Sequence, residues 1–156
     1  MSSSGARLVG VIAFFAILIT GRVKELFKTG KGKYVAPAPI ENKINSHPMI
    51  ESSMVSGVGQ AAAYALVVLE ENLRPKVSDP AVKAEVTASL TELLKDTNKG
   101  LADYEKMQMI VVAREPWSID NGCLTPTMKI KRAKIEANVA PAVDKWFDSK
   151  DKVLWT

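Results

Sequence analysis

Apolar residues cluster along the chain in segments that are typical of strands. Residues 49–57 and 61–69 are rich in apolar and β-branched side chains and are separated by a short turn at residues 58–60. This pattern predicts two neighbouring strands, and the nearly continuous apolar run at 61–69 is expected of a central strand that is buried on both faces. Residues 107–113 predict a further strand.

Other segments repeat their apolar side chains with a helical period. Pro37 opens a short helix that is expected to end near residue 45. Ser78-Asp79-Pro80 begins a long helix with a predicted break at Gly100, and residues 129–147 predict a last helix, disturbed at Pro141. The apolar stripe of the long helix consists of Val82, Val86, Leu90, Leu93, Leu94, Leu101 and Tyr104. Helices that flank a small sheet predict the α+β class.

Residues 8–19 form the most apolar run of the chain. The run is shorter than the roughly 20 residues of a membrane span, and it lacks the flanks of a signal peptide. We predict that it pairs with residues 24–29 in an N-terminal β-hairpin that turns at 20–23. An exposed apolar strand needs cover, so we expect a homodimer through this hairpin, with contact to a membrane surface as the alternative.

This pattern divides the chain into four parts. Residues 1–7 are expected to be disordered, residues 8–35 to form the hairpin and hinge region, residues 36–150 the core, and residues 151–156 a tail.

Composition narrows the classes of function. The net charge of +4 is compatible with a polyanionic ligand, but the basic residues form no stripe interleaved with aromatics, so nucleic acid is not an expected partner. Cys123 is the single cysteine, which predicts a reducing, cytoplasmic location. The single histidine, His47, lies far from Cys123 in sequence, so a Cys–His nucleophile is not favoured. The acidic residues show no metal-ligand spacing.

One stretch has the residues for phosphate chemistry. Asn121-Gly122 favours a tight turn and Pro126 favours an extended backbone before it, so a loop delivers Lys129 near the start of the last helix. The ammonium group at the end of this long side chain can reach a phosphate or carboxylate. Taken alone, the stretch is more typical of a solvated basic helix start than of a ligand site.

Four motifs occur in a fixed order. They are Gly-Arg-Val-Lys-Glu at 21–25, Gly-Lys-Tyr-Val-Ala-Pro-Ala-Pro-Ile-Glu at 32–41, Pro-Trp-Ser-Ile-Asp-Asn-Gly at 116–122 and Leu-Thr-Pro-Thr-Met-Lys-Ile-Lys-Arg at 124–132. Together they resemble the C-terminal domain of AMP-forming acyl-CoA synthetases, most closely the long-chain fatty acid type, over residues 19–146. The resemblance stops at residues 8–19, where this family has an acidic, glycine-punctuated segment that leads out of a large N-terminal domain.

The resemblance implies roles for individual residues. Lys129 corresponds to the catalytic lysine of adenylate formation, and Met128 stands where the family often has glycine. Gly21 and Arg22 correspond to the hinge, with Arg22 near the nucleotide. The implied function is that of a lid domain of a long-chain fatty acid–CoA ligase, which forms acyl-adenylate and then acyl-CoA.

The resemblance also implies a loop that faces coenzyme A, formed by Gly30, Lys31, Gly32 and Lys33, in which Lys31 stands where the family often has a second glycine. The implied ligands are a fatty acid, ATP or AMP, and coenzyme A, with Mg²⁺ accompanying ATP, and the implied partner is a large adenylation domain. These 156 residues hold no Gly-x-x-x-x-Gly-Lys loop, so the chain alone is expected to be inactive. A coenzyme A- or adenylate-binding module without turnover, or a module at a membrane surface, is the alternative.

Three further residues receive structural roles. Glu41 is expected in the first turn of its helix, where a carboxylate is stabilised by the helix dipole. Trp117 is expected to pack its loop onto the sheet, and Trp146 and Trp155 are expected in packing or an interface.

Overall fold

The computed structural model describes residues 25–156. These residues form six strands and three α-helices, with two short 3₁₀ turns at Arg74–Ser78 and Asp103–Glu105. In chain order the elements are β1 (Phe27–Lys28), β2 (Tyr34–Val35), α1 (Pro37–Asn45), β3 (Ile50–Ser56), β4 (Ala63–Leu69), α2 (Pro80–Lys99), β5 (Met107–Val112), α3 (Arg132–Ser149) and β6 (Val153–Trp155).

The main sheet has four strands in the order β3-β4-β5-β6. The β3–β4 pair is antiparallel and is joined by a tight turn in which Gly59 adopts a φ of +71°. The β4–β5 and β5–β6 pairs are parallel. The sheet is therefore mixed, and it confirms both the predicted α+β class and the three strands that the apolar pattern predicts.

Side chains that alternate along β4 divide the interior into two layers. Ala63, Ala65, Val67 and Leu69 face a core that includes side chains from α1 and α2. Tyr64, Leu66 and Val68 face the opposite side, where α3 packs. The Tyr64 ring meets those of Trp146 and Phe147 edge-on, with centroids 5.9 and 6.1 Å away. All seven residues of β4 are buried, as expected of the central strand.

A small antiparallel hairpin lies at the N-terminal end of the described chain. It pairs Phe27 with Val35 and Lys28 with Tyr34. An N-terminal hairpin is thus present, but its two described strands flank residues 29–33. Residues 8–19, which were predicted to pair with residues 24–29, lie outside the described residues.

Helix boundaries differ from the sequence prediction at two places. Helix α2 begins as expected, with the Asp79 carboxylate capping the N–H of Ala81 at 3.0 Å, and it ends at Lys99 before the predicted break at Gly100. Tyr104 was predicted to continue the apolar stripe, but this was wrong, because the residue lies beyond the helix end and is 46% exposed. Helix α3 begins at Arg132 rather than at residue 129, and it runs through Pro141 to Ser149.

The chain end contributes to the sheet. Residues 151–156, expected to be a tail, contain β6. This strand pairs with β5 in parallel, with Ile110 opposite Val153 and Val112 opposite Trp155. A three-residue strand gives little sequence pattern, and only its neighbour in the sheet stabilises it. The other domain boundaries stay a prediction. In residues 25–156, no helix is long and apolar enough to cross a membrane.

Candidate functional site

Lys129 lies in a narrow loop that folds back on itself. Leu124 and Ile130 form an antiparallel bridge, and the N–H of Thr125 donates to the Lys129 carbonyl at 2.8 Å. The N–H of Lys131 donates to the Cys123 carbonyl, also at 2.8 Å. These backbone bonds form a miniature hairpin rather than a helical turn, which is why α3 starts three residues later than the sequence predicts.

The tip of this hairpin contains a left-handed residue. Met128 has a φ of +66° and donates its N–H to the Thr125 carbonyl at 2.8 Å. The Thr125 hydroxyl accepts the N–H of Lys129 at 3.1 Å and lies 3.0 Å from the Thr127 hydroxyl. A positive φ suits glycine and is strained for a side chain such as that of methionine. The glycine that the resemblance implies at this position would adopt this turn without strain, whereas Met128 adopts it with strain.

The side chain of Lys129 is exposed. Within residues 25–156 it forms no ion pair, whereas other lysines, among them Lys43 with Asp96, do. The hairpin thus fixes the backbone of Lys129 and leaves its ammonium group available to a ligand or to another domain.

An ion pair between the partly exposed Arg132 and the buried Glu41 anchors the residue that follows this loop. Arg132 donates from both terminal nitrogens to the Glu41 carboxylate, at 2.6 and 3.1 Å, and also donates to the Val55 carbonyl at 3.1 Å. Glu41 in turn accepts the Val55 N–H at 2.8 Å. Burial by itself lowers the pKa of Arg132, but hydrogen bonding to Glu41 and attraction to its charge outweigh burial and raise it.

The position of Glu41 corrects one prediction. The first turn of α1 contains no acidic residue, because Glu41 lies one turn further along and is buried. Its structural role is therefore to hold Arg132 and β3, and it does not act on the helix dipole. Sequence reasoning missed this pair, since the two residues are 91 positions apart and no local pattern connects them.

The segment before the Lys129 loop is held by side-chain hydrogen bonds. The side-chain oxygen Oδ1 of Asn121 accepts the backbone N–H groups of Ser118 and Cys123 at 3.0 and 3.1 Å. The side-chain Nδ2 of Asn121 donates to the Pro116 carbonyl at 3.0 Å. Trp117 is buried beneath this segment, which confirms its predicted packing role.

Trp155 packs within the chain, as Trp146 does beside Tyr64. Its indole N–H donates to the Thr87 hydroxyl at 3.0 Å, and the Lys83 ammonium lies 5.0 Å from the ring centroid.

Cys123 is buried beside the loop and receives a hydrogen bond from the Asn138 amide at 3.6 Å. The Nδ1 atom of His47 accepts the N–H of Met49 at 3.1 Å, and burial lowers the pKa of His47. Each of these two residues therefore has its own local hydrogen bond, and the structure does not bring them together as a catalytic pair. Within the described chain, no cluster of three or more His, Cys, Asp or Glu residues has the arrangement of a metal site.

The loop predicted to face coenzyme A connects β1 and β2. The N–H of Gly30 donates to the Gln60 carbonyl at 2.8 Å, and a Cβ at Gly30 would lie 2.9 Å from the Gly59 carbonyl oxygen. The missing side chain at Gly30 thus permits contact with the β3–β4 turn. Gly32 has a φ of +81° and open space around it.

The two lysines of this loop, Lys31 and Lys33, are exposed and line a shared pocket of which Lys129 is not a part. The structure therefore places the two predicted groups in different local sites. Gly21 and Arg22, the predicted hinge, lie outside the described residues.

Comparison with known proteins identifies the family. The protein-family model for the AMP-binding enzyme C-terminal domain matches residues 25–151. The chain belongs to this family. The resemblance that the four sequence motifs indicate is thereby confirmed.

Curated relatives are much longer than this chain. Long-chain-fatty-acid–CoA ligase FadD15 of Mycobacterium tuberculosis is 27% identical over 146 residues, which cover 86% of this chain and 24% of the relative. Long-chain-fatty-acid–CoA ligase 5 of Rattus norvegicus is 33% identical over 153 residues, covering 88% and 21%. The chain therefore spans about a quarter or less of the length of these relatives.

Solved structures share the fold. The A domain of a carboxylic acid reductase from Segniliparus rugosus, in complex with AMP and a co-purified carboxylic acid, has a TM-score of 0.63 and 25% identity, over 83% of this chain and 21% of that chain. A fatty acyl CoA synthetase from Mycobacterium tuberculosis has a TM-score of 0.52 and 22% identity, over 78% and 20%. The second similarity shows the fold alone.

Proposed function

We propose that this chain is the lid domain of a long-chain fatty acid–CoA ligase and supplies Lys129 to the formation of acyl-adenylate. The observation that carries the proposal is the presentation of Lys129. Its backbone is fixed in a hydrogen-bonded hairpin, while its side chain is exposed and without an ion-pair partner in the described chain. The names of the curated relatives support the class of substrate.

The chemistry explains the need for a positive group. When the carboxylate of a fatty acid attacks the α-phosphorus of ATP, a new carboxyl–phosphate bond forms and pyrophosphate leaves. Two anionic groups approach each other in this step, so an ammonium group in a closed cleft stabilises the transition state more than the ground state. In this proposal the other walls of the cleft belong to a large adenylation domain, which also binds most of the ATP and its Mg²⁺.

The second half-reaction uses other residues. The thiol of coenzyme A displaces AMP after the lid has rotated about Gly21 and Arg22, and the loop of Gly30, Lys31, Gly32 and Lys33 then faces coenzyme A. Support for this assignment comes from the exposure of Lys31 and Lys33 and from the tight turn at Gly32. We also propose that residues 8–19 mediate self-association of the chain, because their apolar side chains need cover.

A chimera tests the proposed function. The segment of FadD15 that matches this chain is replaced by residues 1–156, and the two half-reactions are measured separately. Palmitate-dependent release of pyrophosphate reports adenylation, and formation of acyl-CoA from supplied acyl-adenylate reports the second step. We expect Lys129→Ala to lower the adenylation rate by about 10²–10³-fold, in the range seen for loss of one transition-state donor, and to change the second step much less.

Lys131→Ala is the matched control. Lys131 is exposed and lies two residues further along, but its backbone forms the base of the hairpin, so loss of its side chain should leave both steps near their original rates. Equal losses in both half-reactions for Lys129→Ala would contradict the assignment. A folded chimera with neither activity would favour the alternative, a binding module without turnover.

A further inference from the structure

Four lysines from three separate segments line one pocket of about 270 Å³. Lys31 and Lys33 come from the loop between β1 and β2. Lys106 directly precedes β5, and Lys152 directly precedes β6. The other residues that line the pocket are Thr29, Ala61, Ala62, Asp103, Tyr104, Met107 and Gln108.

The sheet topology explains why these lysines meet. Strands β4, β5 and β6 run parallel, so their amino ends lie at the same edge of the sheet. The Lys152 carbonyl accepts the N–H of Ile110 at 2.9 Å, which fixes the start of β6 beside β5. The loop of Lys31 reaches the same edge because the N–H of Gly30 bonds to the Gln60 carbonyl, just before β4.

The charge of the pocket is strongly unbalanced. Among the residues that the structure describes, Asp103 is the only acidic one that lines the pocket, and its carboxylate is paired with the Lys106 ammonium at 3.1 Å. The formal charge of the lining is therefore +3. Such a concentration of ammonium groups attracts anions to the pocket.

The loop between β1 and β2 is also shaped to hold its lysines in place. The N–H of Thr29 donates to the Lys33 carbonyl at 2.9 Å, and the N–H of Gly32 donates to the Thr29 carbonyl at 3.0 Å. These bonds close a tight turn from which the side chains of Lys31 and Lys33 extend. The backbone of this part of the site is therefore fixed by its own hydrogen bonds.

We propose that this pocket binds a group of two or more linked phosphates. Lys106 and Lys152 are phosphate-binding residues in this proposal, and no motif of the sequence identifies them. Lysines suit phosphate as compact point charges. The volume lies below the usual range for a whole small-molecule ligand, so the pocket takes the phosphate-rich part of a molecule. The exposed ring of Tyr104, at its rim, is available to a flat or apolar remainder.

This inference rests on the proposed function only if the ligand is coenzyme A. Coenzyme A contains a diphosphate and a separate 3′-phosphate, and the pocket includes both lysines of the loop proposed to face it. Inorganic pyrophosphate has the same linked phosphates without the rest of the molecule. Binding of either ligand to this pocket is independent of Lys129, which lies outside it.

The test is isothermal titration of the full 156-residue chain at low ionic strength, with pyrophosphate and with coenzyme A in separate experiments. We expect both to bind, and the double variant K106Q/K152Q to weaken binding about tenfold or more, because two of the four ammonium groups that line the pocket are lost. The double variant K76Q/K145Q removes the same charge from exposed lysines outside the pocket and should change affinity less than about twofold.

The outcomes are distinct. Equal weakening in both double variants would reduce the effect to net charge and overturn the site, as would a lack of binding by either ligand. Tight binding of pyrophosphate without coenzyme A assigns the pocket to the free anion, whereas binding of coenzyme A that weakens in Tyr104→Ala assigns it to the nucleotide. These affinities are measured on the chain alone, where no adenylation is followed, so failure of the proposed catalytic role and failure of this site give different results.

Discussion

The guanidinium group of Arg132 and the carboxylate of Glu41 form a two-pronged ion pair, with distances of 2.6 and 3.1 Å. The pair joins α1 to the first residue of α3, and both partners also bond to the backbone of Val55 in β3. Three elements are thereby connected at the base of the loop that contains Lys129. The contact therefore fixes the position of Arg132, the residue at which the Lys129 loop ends and α3 begins.

Loss of one partner of this ion pair should destabilise the protein strongly. Arg132→Met leaves the Glu41 carboxylate buried without its cation, so we expect the free energy of unfolding to fall by about 3–5 kcal/mol. Urea denaturation followed by circular dichroism measures this change. In Arg132→Met combined with Glu41→Gln, the amide oxygen of the glutamine still accepts the Val55 N–H, and part of the loss should be recovered.

The pair of Lys43 and Asp96 is the matched control. Both side chains are more than half exposed, so Lys43→Met should have little effect on unfolding. An Arg132→Met variant as stable as the Lys43→Met variant would show that the pair of Arg132 and Glu41 has no special role.

Met128→Gly should stabilise the protein. Met128 is held at a φ of +66° and its side chain is largely exposed, so the substitution relieves backbone strain and removes little packing. We expect the free energy of unfolding to rise by about 0.5–1 kcal/mol, because the left-handed conformation costs an L-residue about 1–2 kcal/mol and glycine offsets part of the gain through its flexible unfolded chain.

Met128→Ala keeps the strain and serves as the control for Met128→Gly in the same denaturation experiment. Lys150→Gly tests the same principle at the end of α3, where the φ is +60°. Equal stability of the glycine and alanine variants at position 128 would contradict the conformational explanation.

Stability should decrease at alkaline pH because of Tyr64. Burial is the main cause that raises the pKa of Tyr64 to about 12, and the negative charge of Glu136 acts in the same direction. In the unfolded chain the tyrosine pKa is about 10. The folded state therefore favours the neutral phenol, and its contribution is complete below pH 10 and is lost as the pH rises to about 12.

The size of this effect follows from the difference in pKa. Two pKa units correspond to about 2–3 kcal/mol of unfolding free energy. Urea midpoints measured between pH 9 and pH 12 should fall more steeply for the original chain than for Tyr64→Phe, which has no phenol to ionise. Parallel curves for the two proteins would exclude Tyr64 as the source.

The chain alone should not activate fatty acids. It has the lysine proposed for catalysis but no phosphate-binding Gly-x-x-x-x-Gly-Lys loop, and the site around Lys129 is open. Release of pyrophosphate from palmitate, ATP, Mg²⁺ and coenzyme A should stay at background, with the FadD15 chimera as the positive control. Turnover by the purified chain that disappears in Lys129→Ala would overturn this prediction.

Self-association should depend on residues 8–19. Each large apolar side chain contributes about 1.5–3 kcal/mol when it is fully buried, so cover for this run is strongly favourable. We expect a dimer in light scattering without detergent, and a monomer when Ile12 and Phe15 are both replaced by serine. A monomer of the original chain that binds lipid vesicles would instead support contact with a membrane surface.

Much of the fold could be predicted from local pattern. The apolar run of β4, the turn at Gly59 and the Asp79-Pro80 start of α2 each depend on neighbouring residues and were located correctly. The last strand was not, because three residues have no distinctive period and depend on pairing with β5, which is far away in sequence. The start of α3 was misplaced because backbone bonds inside the Lys129 hairpin replaced the helical ones.

The candidate site was predictable only in part. The four motifs predict Lys129 as the catalytic residue, which stays a prediction, and the positive φ of Met128 next to it was not predicted. Nothing in the sequence connected Glu41 with Arg132, nor Lys106 with Lys152, since each pair is brought together by the packing of distant elements. Ion pairs and pockets of this kind depend on topology rather than on sequence spacing.

The order of strands in the main sheet has a consequence for synthesis of the protein on the ribosome. The hairpin of β3 and β4 can form early, but β5 lies between β4 and β6, and β6 is the last element described. Until Val153–Trp155 have left the exit tunnel, one edge of β5 has no partner, and α3 has only just emerged. A nascent chain that pauses before this point exposes an apolar strand edge to chaperones and proteases.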